Sequence, residues 1–385
     1  MFKQIVTFLI MLLGAISAAS AQTPPVGFET KAAQALMIEA STGTVLLSKA
    51  ADKPFPPASL AKLMTVELVL DALTRGEITL DTEYAVSEYA WRTGGAPSRT
   101  STMFAALKSR IRVDDLLKGV MVQMANDGCI ILAEGMAGSE AAFTERMNER
   151  AKVLGLTGSH FANSTGLPHP DARTTLKDLV KLARHIEATY PTLYQYYRIP
   201  EFEWNKIFQR NRNPLLSFDL GIDGLASGYS EEGGFGIVAS GLKDGTRLFV
   251  ALSGIATDKE RTEETARVLG WGQTAFESLK LFDAGEVIGA ASIYGGATGS
   301  VDLVAKAPVS VFVPIGNPER LSARIVYQWP LRAPVESGSQ VGTLRIFSGE
   351  SLLREVPLAT ASSVEVGTLR QRATDALLEL MFFWL

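Results

Sequence analysis

Ser59 and Lys62, in Pro57-Ala58-Ser59-Leu60-Ala61-Lys62, place a hydroxyl and an amine three positions apart. On a helix that spacing puts both side chains on one face, where a neutral lysine amine can take the serine proton and make the hydroxyl a nucleophile for acyl transfer. A chain of this length holds about one Ser-x-x-Lys by chance, so the spacing alone carries little weight. Its setting adds to it. After Pro54-Phe55-Pro56-Pro57, residues Ser59 to Thr74 contain no Gly or Pro and show apolar residues at helical spacing, which predicts a helix opening close to Ser59. A serine there lies beside unpaired backbone N–H groups that can polarise a bound carbonyl. The lysine serves as base only when neutral, so its pKa must fall from about 10.4 towards about 7, at about 4 to 5 kcal/mol supplied by burial and nearby cations.

Other chemistries find fewer residues. Three histidines and one cysteine offer no compact His/Cys metal site, so neither a metal nor a cofactor is expected. His160, His169 and His185 fall on a predicted strand, loop and helix, and read as structural or surface residues. Cys129 opens the apolar run Cys129-Ile130-Ile131-Leu132 and reads as core. A formal net charge of -4, with acidic and basic residues mixed along the chain, excludes a nucleic-acid binder.

The elements that must hold the Ser/Lys pair come from patterning. Ala35 to Lys49 reads as two strands around a Ser-Thr-Gly-Thr turn, and helical stretches dominate from Val113 to His185, broken at Gly155 to Ser159 and at Asn163 to Pro168. Strands return at Gly236 to Ser240 and Arg247 to Leu252. With 385 residues and 46% hydrophobic content, two globular units are expected: a mixed α/β domain over 22–283 and a small all-β domain over 284–366. Lys3, the apolar run Ile5 to Ile16 and Ala19-Ser20-Ala21 read as a signal peptide over 1–21, so the protein is expected to be exported; an uncleaved anchor is the alternative. Over 367–385, Leu369, Ala373, Ala376, Leu377, Leu380, Met381 and Trp384 share one helical face, opposite Arg370, Arg372, Asp375 and Glu379. Such an amphipathic helix suits a membrane surface, with packing on its own domain as the alternative.

Pro57-Ala58-Ser59-Leu60-Ala61-Lys62-Leu63-Met64-Thr65 resembles the nucleophile motif of the serine D-alanyl-D-alanine carboxypeptidases, the low-molecular-mass penicillin-binding proteins (peptidase S11-like). The segments from Ser87 to Ala96, Asn163 to Pro168, Arg212 to Leu216 and Leu269 to Gly272 are similar to family segments in family order. The resemblance implies an α/β (mixed) penicillin-binding/β-lactamase-like transpeptidase domain, followed by a small all-β domain and a C-terminal amphipathic helix. It also implies that Ser59 attacks the penultimate D-alanine carbonyl of a peptidoglycan stem pentapeptide, that Lys62 takes its proton and that water releases the acyl-enzyme. β-Lactams would be further ligands, and the cell-facing location would be periplasmic, on the outer face of the cytoplasmic membrane.

Two family motifs are altered. Ser-x-Asn reads Met124-Ala125-Asn126: Asn126 remains to orient Lys62 and the substrate amide, but a thioether has no proton to relay. Lys-Thr-Gly reads Ala226-Ser227-Gly228, removing a cation expected to lower the pKa of Lys62 and to draw in the substrate carboxylate. Ser227 keeps a hydroxyl, Gly228 permits close approach, and the backbone N–H of Tyr229 would complete the oxyanion hole. Arg261 matches a family arginine near the substrate carboxylate, or is a surface arginine paired with Glu263 or Glu264; Arg99, where the family has a small residue, is a compensating cation or a solvated one. Two functions follow: a carboxypeptidase of reduced activity, or a catalytically silent relative that binds wall peptides or protein partners.

Overall fold

The computed structural model describes residues 28–316 and 321–382. The expected signal peptide, together with Phe383, Trp384 and Leu385, lies outside the described residues.

The first domain is organised by a five-stranded antiparallel sheet in the order Val45–Lys49, Gln34–Glu39, Thr246–Ile255, Gly234–Lys243, Ile222–Ser230. Gln34–Glu39 is buried along its whole length because helices cover both faces of the sheet. Its alternate side chains divide between two cores. Leu36 and Ile38 join Val238, Phe249 and Ala251 beneath the helices that contain the Ser/Lys pair. Ala35 and Met37 join Leu248, Val250 and Leu252 against Val268 and Leu269 of the helix Asp258–Thr274. The predicted hairpin forms, and its turn is closed by the Glu39 carboxylate, which accepts from the N–H groups of Ser41 and Thr42 at 2.7 Å each.

The helical layer carries the candidate site. Ala58–Ala61 is a 3-10 turn and the α-helix proper runs Lys62–Thr74, so Ser59 stands just ahead of the helix that carries Lys62. Val113–Gln123, Asn126–Ala137, Glu140–Val153 and Leu176–Thr189 follow. Helix Lys62–Thr74 is buried almost all round, having Leu63, Met64, Val66, Val69 and Leu70 in the core. That is why it can hold a lysine away from water.

Phe276–Phe282 pairs with Val309–Pro314, and a six-stranded sheet follows in the order Leu321–Tyr327, Gln340–Ser348, Ser351–Thr360, Ser300–Val304, Val287–Tyr294, Leu331–Arg332. Leu303, Ile346 and Leu358 are at the centre of its separate core. The helix Leu369–Phe382 is tied to this unit by polar atoms: Gln371 Nε2 donates to the Ala297 carbonyl at 3.0 Å and Gly295 N–H to Asp375 Oδ2 at 2.8 Å. Leu369 and Leu377 remain 79% and 61% exposed. Among the described residues no helix is long and apolar enough to cross a membrane.

Candidate active site

The first turn brings Ser59 and Lys62 together: Lys62 Nζ donates to Ser59 Oγ at 2.9 Å and to the Thr165 carbonyl at 2.6 Å. Lys62 is 2% exposed. Burial, which penalises its charged form, lowers its pKa to about 8, while the neighbouring Cys129 thiol pulls weakly the other way. Cys129 is itself fully buried and pushed up to about 12, so it is a packed thiol. The depression of Lys62 is thus carried by burial, one of the two causes expected, and is present without the lysine missing at position 226.

Backbone geometry closes the site around the serine. Ala58 adopts φ +47°, a left-handed conformation that costs a non-glycine residue about 1 kcal/mol or more, and it presents the next N–H groups in a tight turn. The loop from Asn163 to Leu167 presses on this turn: a Cβ built on Gly166 (φ +76°) would lie 1.7 Å from the Ala58 carbonyl oxygen. Asn163 Oδ1 folds that loop by accepting from Thr165 N–H, Thr165 Oγ1 and Gly166 N–H at 3.2, 2.9 and 2.7 Å. The Thr165 carbonyl escapes sequence reasoning, because a main-chain oxygen has no residue type. The quoted Asn163-to-Pro168 segment is the only signal that pointed to this loop.

Asn126 opens its helix, but its carboxamide is not on Lys62. Nδ2 donates to Thr100 Oγ1 at 2.9 Å, and Oδ1, the atom that would accept from Lys62, is buried without a partner. The Thr100 side of the cleft is held by Asp127, fully buried, whose carboxylate accepts from Thr102 Oγ1 (2.5 Å) and the N–H groups of Met103 (2.9 Å) and Ala105 (3.0 Å). Met124 caps the preceding helix at φ +58° and is buried in the main core. Arg99 is exposed at φ +57° on the rim, one residue before Thr100, and among the described residues it makes no ion pair.

The strand Ile222–Ser230 forms the other side. A Cβ on Gly228 would lie 3.1 Å from Ser59 N, so this face of the strand abuts the nucleophile turn. Ala226, two residues earlier, shares that face and is buried, leaving a methyl where a lysine would reach towards the pair. Ser227 is half-buried, and Tyr229 is exposed and packs against Phe235 with its ring tilted by 40° and 4.5 Å between ring centroids. Behind that pair Arg261 lies 5.9 Å from the Phe235 ring. It is buried and bonds Asp258 at 2.7 Å, not Glu263 or Glu264, which corrects the surface-arginine alternative. Arg261 Nε has no partner, and burial lowers the guanidinium pKa from its ordinary value.

A cleft of about 580 Å³ extends from the Ser59 turn, between Pro57 and Ala58 on one side, Leu167 and His169 on another, and Tyr229 and Glu231 on a third. A nucleophile with a buried amine at its base, a glycine-containing strand beside it and a mostly apolar cleft next to it suit acyl transfer from a peptide. Among the described residues no group of three His, Cys, Asp or Glu side chains could hold a metal ion.

Comparison with known proteins agrees with this geometry. The family model described as D-alanyl-D-alanine carboxypeptidase matches residues 17–255, and the C-terminal domain model of penicillin-binding protein 5 matches 276–366. The chain is 34% identical to D-alanyl-D-alanine carboxypeptidase DacC of Escherichia coli K12, over 91% of this chain and 88% of that protein. Penicillin-binding protein 5 from Haemophilus influenzae superposes with a TM-score of 0.78 at 30% identity, covering 89% of this chain and 99% of that one. Penicillin-binding protein D2 from Listeria monocytogenes, solved in an ampicillin-bound form, superposes with a TM-score of 0.56 at 27% identity, over 64% of this chain and 99% of that one. This chain is thus a member of the serine D-alanyl-D-alanine carboxypeptidase family, having the penicillin-binding α/β fold followed by the β-rich C-terminal domain.

Proposed function

We propose that this chain releases the terminal D-alanine from peptidoglycan stem peptides through an acyl-enzyme on Ser59, at a rate reduced by Met124 and Ala226. The observation that carries this reading is the 2.9 Å contact between Ser59 Oγ and a buried Lys62 whose pKa is about 8. A fraction of Lys62 is then neutral at physiological pH, able to accept the serine proton as Oγ attacks the D-alanyl carbonyl. The N–H groups of Ser59 and Tyr229 would stabilise the oxyanion, and Arg261 would supply positive potential near the substrate carboxylate. The acylated serine would be freed by water. Removing one positioned group costs about 10²- to 10³-fold, so the absence of two corresponds to about 10³- to 10⁵-fold less turnover than an intact site.

A second reading, a catalytically silent binder of wall peptides or protein partners, is favoured by the apolar packing of Met124 and Ala226, which leaves no proton relay and no cation at those positions. Acylation of the chain by a fluorescent penicillin separates the two, with Ser59→Ala as the blank and mass spectrometry locating the adduct. Labelling at Ser59 supports the enzyme; no labelling of folded protein at millimolar probe over hours leaves the binder.

The same reading places the chain outside the cytoplasmic membrane after removal of 1–21, with catalytic residues in 22–283, the β domain in 284–366 and the helix 367–385 lying on the membrane surface. The polar tether of that helix and its exposed Leu369 and Leu377 support the last point.

A further inference from the structure

The Thr165 carbonyl that receives Lys62 is itself held by a residue with no part in the family motifs above. Glu140 opens the helix Glu140–Val153, and its Oε1 accepts from Ser164 N–H at 3.0 Å and from Ser164 Oγ at 2.6 Å. Its Oε2 accepts from the Tyr89 hydroxyl at 2.7 Å. Ser164 is fully buried, and its own carbonyl takes Thr65 Oγ1 at 2.7 Å. The loop is thus strung between two helices: Lys62 and Thr65 grip the carbonyls of Thr165 and Ser164, and Glu140 grips Ser164 from the far side.

This arrangement has a directional consequence. A neutral lysine amine has two N–H donors and one lone pair. When a donor is committed to the Thr165 carbonyl, rotation about the Cε–Nζ bond is restricted and the lone pair can face Ser59 Oγ. Charge-assisted bonds to a carboxylate are the stronger kind, and without the carboxylate the buried Ser164 N–H and hydroxyl would lack partners and the loop would shift to satisfy them.

We propose that Glu140 is a positioning residue: through Ser164 it holds the Thr165 carbonyl against Lys62 Nζ and thereby aims the amine at Ser59 Oγ. The proposal rests on the reading of Ser59 and Lys62 as nucleophile and base. Titratable groups facing this chain of contacts are Cys129, beside Lys62, and Tyr89, Glu134 and His169, which line one surface pocket with Glu140. Tyr89 is pushed up to about 12 by partial burial and the Glu140 carboxylate, so it stays a donor at neutral pH.

The test compares the full chain with Glu140→Ala and Glu140→Gln, following Ser59 acylation by fluorescent penicillin from pH 6 to 10 and Lys62 titration by NMR of lysine carrying ¹³C at the ε-carbon. Circular dichroism shows which variants are folded. Glu140→Ala is expected to lose about 100-fold in the acylation rate constant, and its rising limb should move to higher pH as water reaches the amine. Glu140→Gln keeps an oxygen for Ser164, and the Tyr89 hydroxyl can turn to accept from the amide, so this variant should recover the rate to within about threefold. Folded Glu140→Ala with the parental rate, limb and Lys62 titration would overturn the proposal. If the parent chain is not acylated at all, the enzyme reading fails by itself; the Lys62 titration then decides the proposal, which falls if Glu140→Ala leaves it unmoved.

Discussion

Two parts of the candidate site are made from different materials. Around Ser59 and Lys62 the work is done by burial, a main-chain carbonyl and a left-handed turn, none of which depends on the side chains at 124 and 226. Around Met124 and Ala226, the family's contribution is a hydroxyl and an ammonium, and a single substitution removes each one. The first part is therefore robust to the loss of those two motif side chains, and the second is fragile. A catalytic lysine can retain a depressed pKa after its partner cation has gone, because desolvation outweighs the lost charge at a fully covered amine.

Lys62→Met sharpens this comparison most. Acylation should fall by about 10³- to 10⁴-fold, the upper range for a general base, measured as the second-order rate constant with fluorescent penicillin. The variant also reads the burial cost directly. The folded pKa of about 8 lies below the unfolded value of 10.5, so the charged form is penalised in the native state. That penalty is absent above pH 10.5 and complete below pH 8. Relative to the parent, the variant should gain about 3 kcal/mol in unfolding free energy between pH 11 and pH 7, seen by urea denaturation at the two pH values. An equal difference at both would show that burial is not what lowers Lys62.

Restoring the fragile part is the next largest change. Met124→Ser with Ala226→Lys should raise acylation by about 10³-fold, at about 2 kcal/mol of stability for the methionine taken from the core. No gain in a folded double variant would mean that the two positions no longer face the nucleophile productively. Gly166→Ala attacks the robust part instead: the left-handed φ and the Ala58 carbonyl leave no room for a methyl, and the loop must retreat. We expect a loss of about 100-fold in acylation with modest loss of stability, and an unchanged rate would break the link between the loop and Lys62. The smallest effect is in the parent itself. Acylation should rise by about tenfold per pH unit up to about pH 8 and then level off, and a flat profile from pH 6 to 9 would remove Lys62 as the base.

How much of this was legible in the residues differs by part. The Ser59/Lys62 spacing, the hairpin of Gln34–Glu39 with Val45–Lys49, the helix Lys62–Thr74 and the β-rich second unit follow local rules of periodicity and turn chemistry, and they could be read directly. The substitutions at 124 and 226 were visible as letters. The partner of Asn126 was not, because Thr100 meets it only after the Asp127 carboxylate has gathered the loop from Thr102 to Ala105. Arg261 was placed near the substrate on resemblance; its burial beside Phe235 and its pairing with Asp258 came from the packing of a helix on a sheet.

The sequence by itself determined that a serine and a lysine share a helix start, that the chain has the family's segments in order, and that two motif residues cannot do what the family's residues do. Only the tertiary structure decided that Lys62 is cut off from water, that its acceptor is the main-chain oxygen of a residue 103 positions away, and that Glu140 holds that oxygen in place. The physical reason is that burial and backbone direction belong to no residue type: they arise only where distant segments pack together.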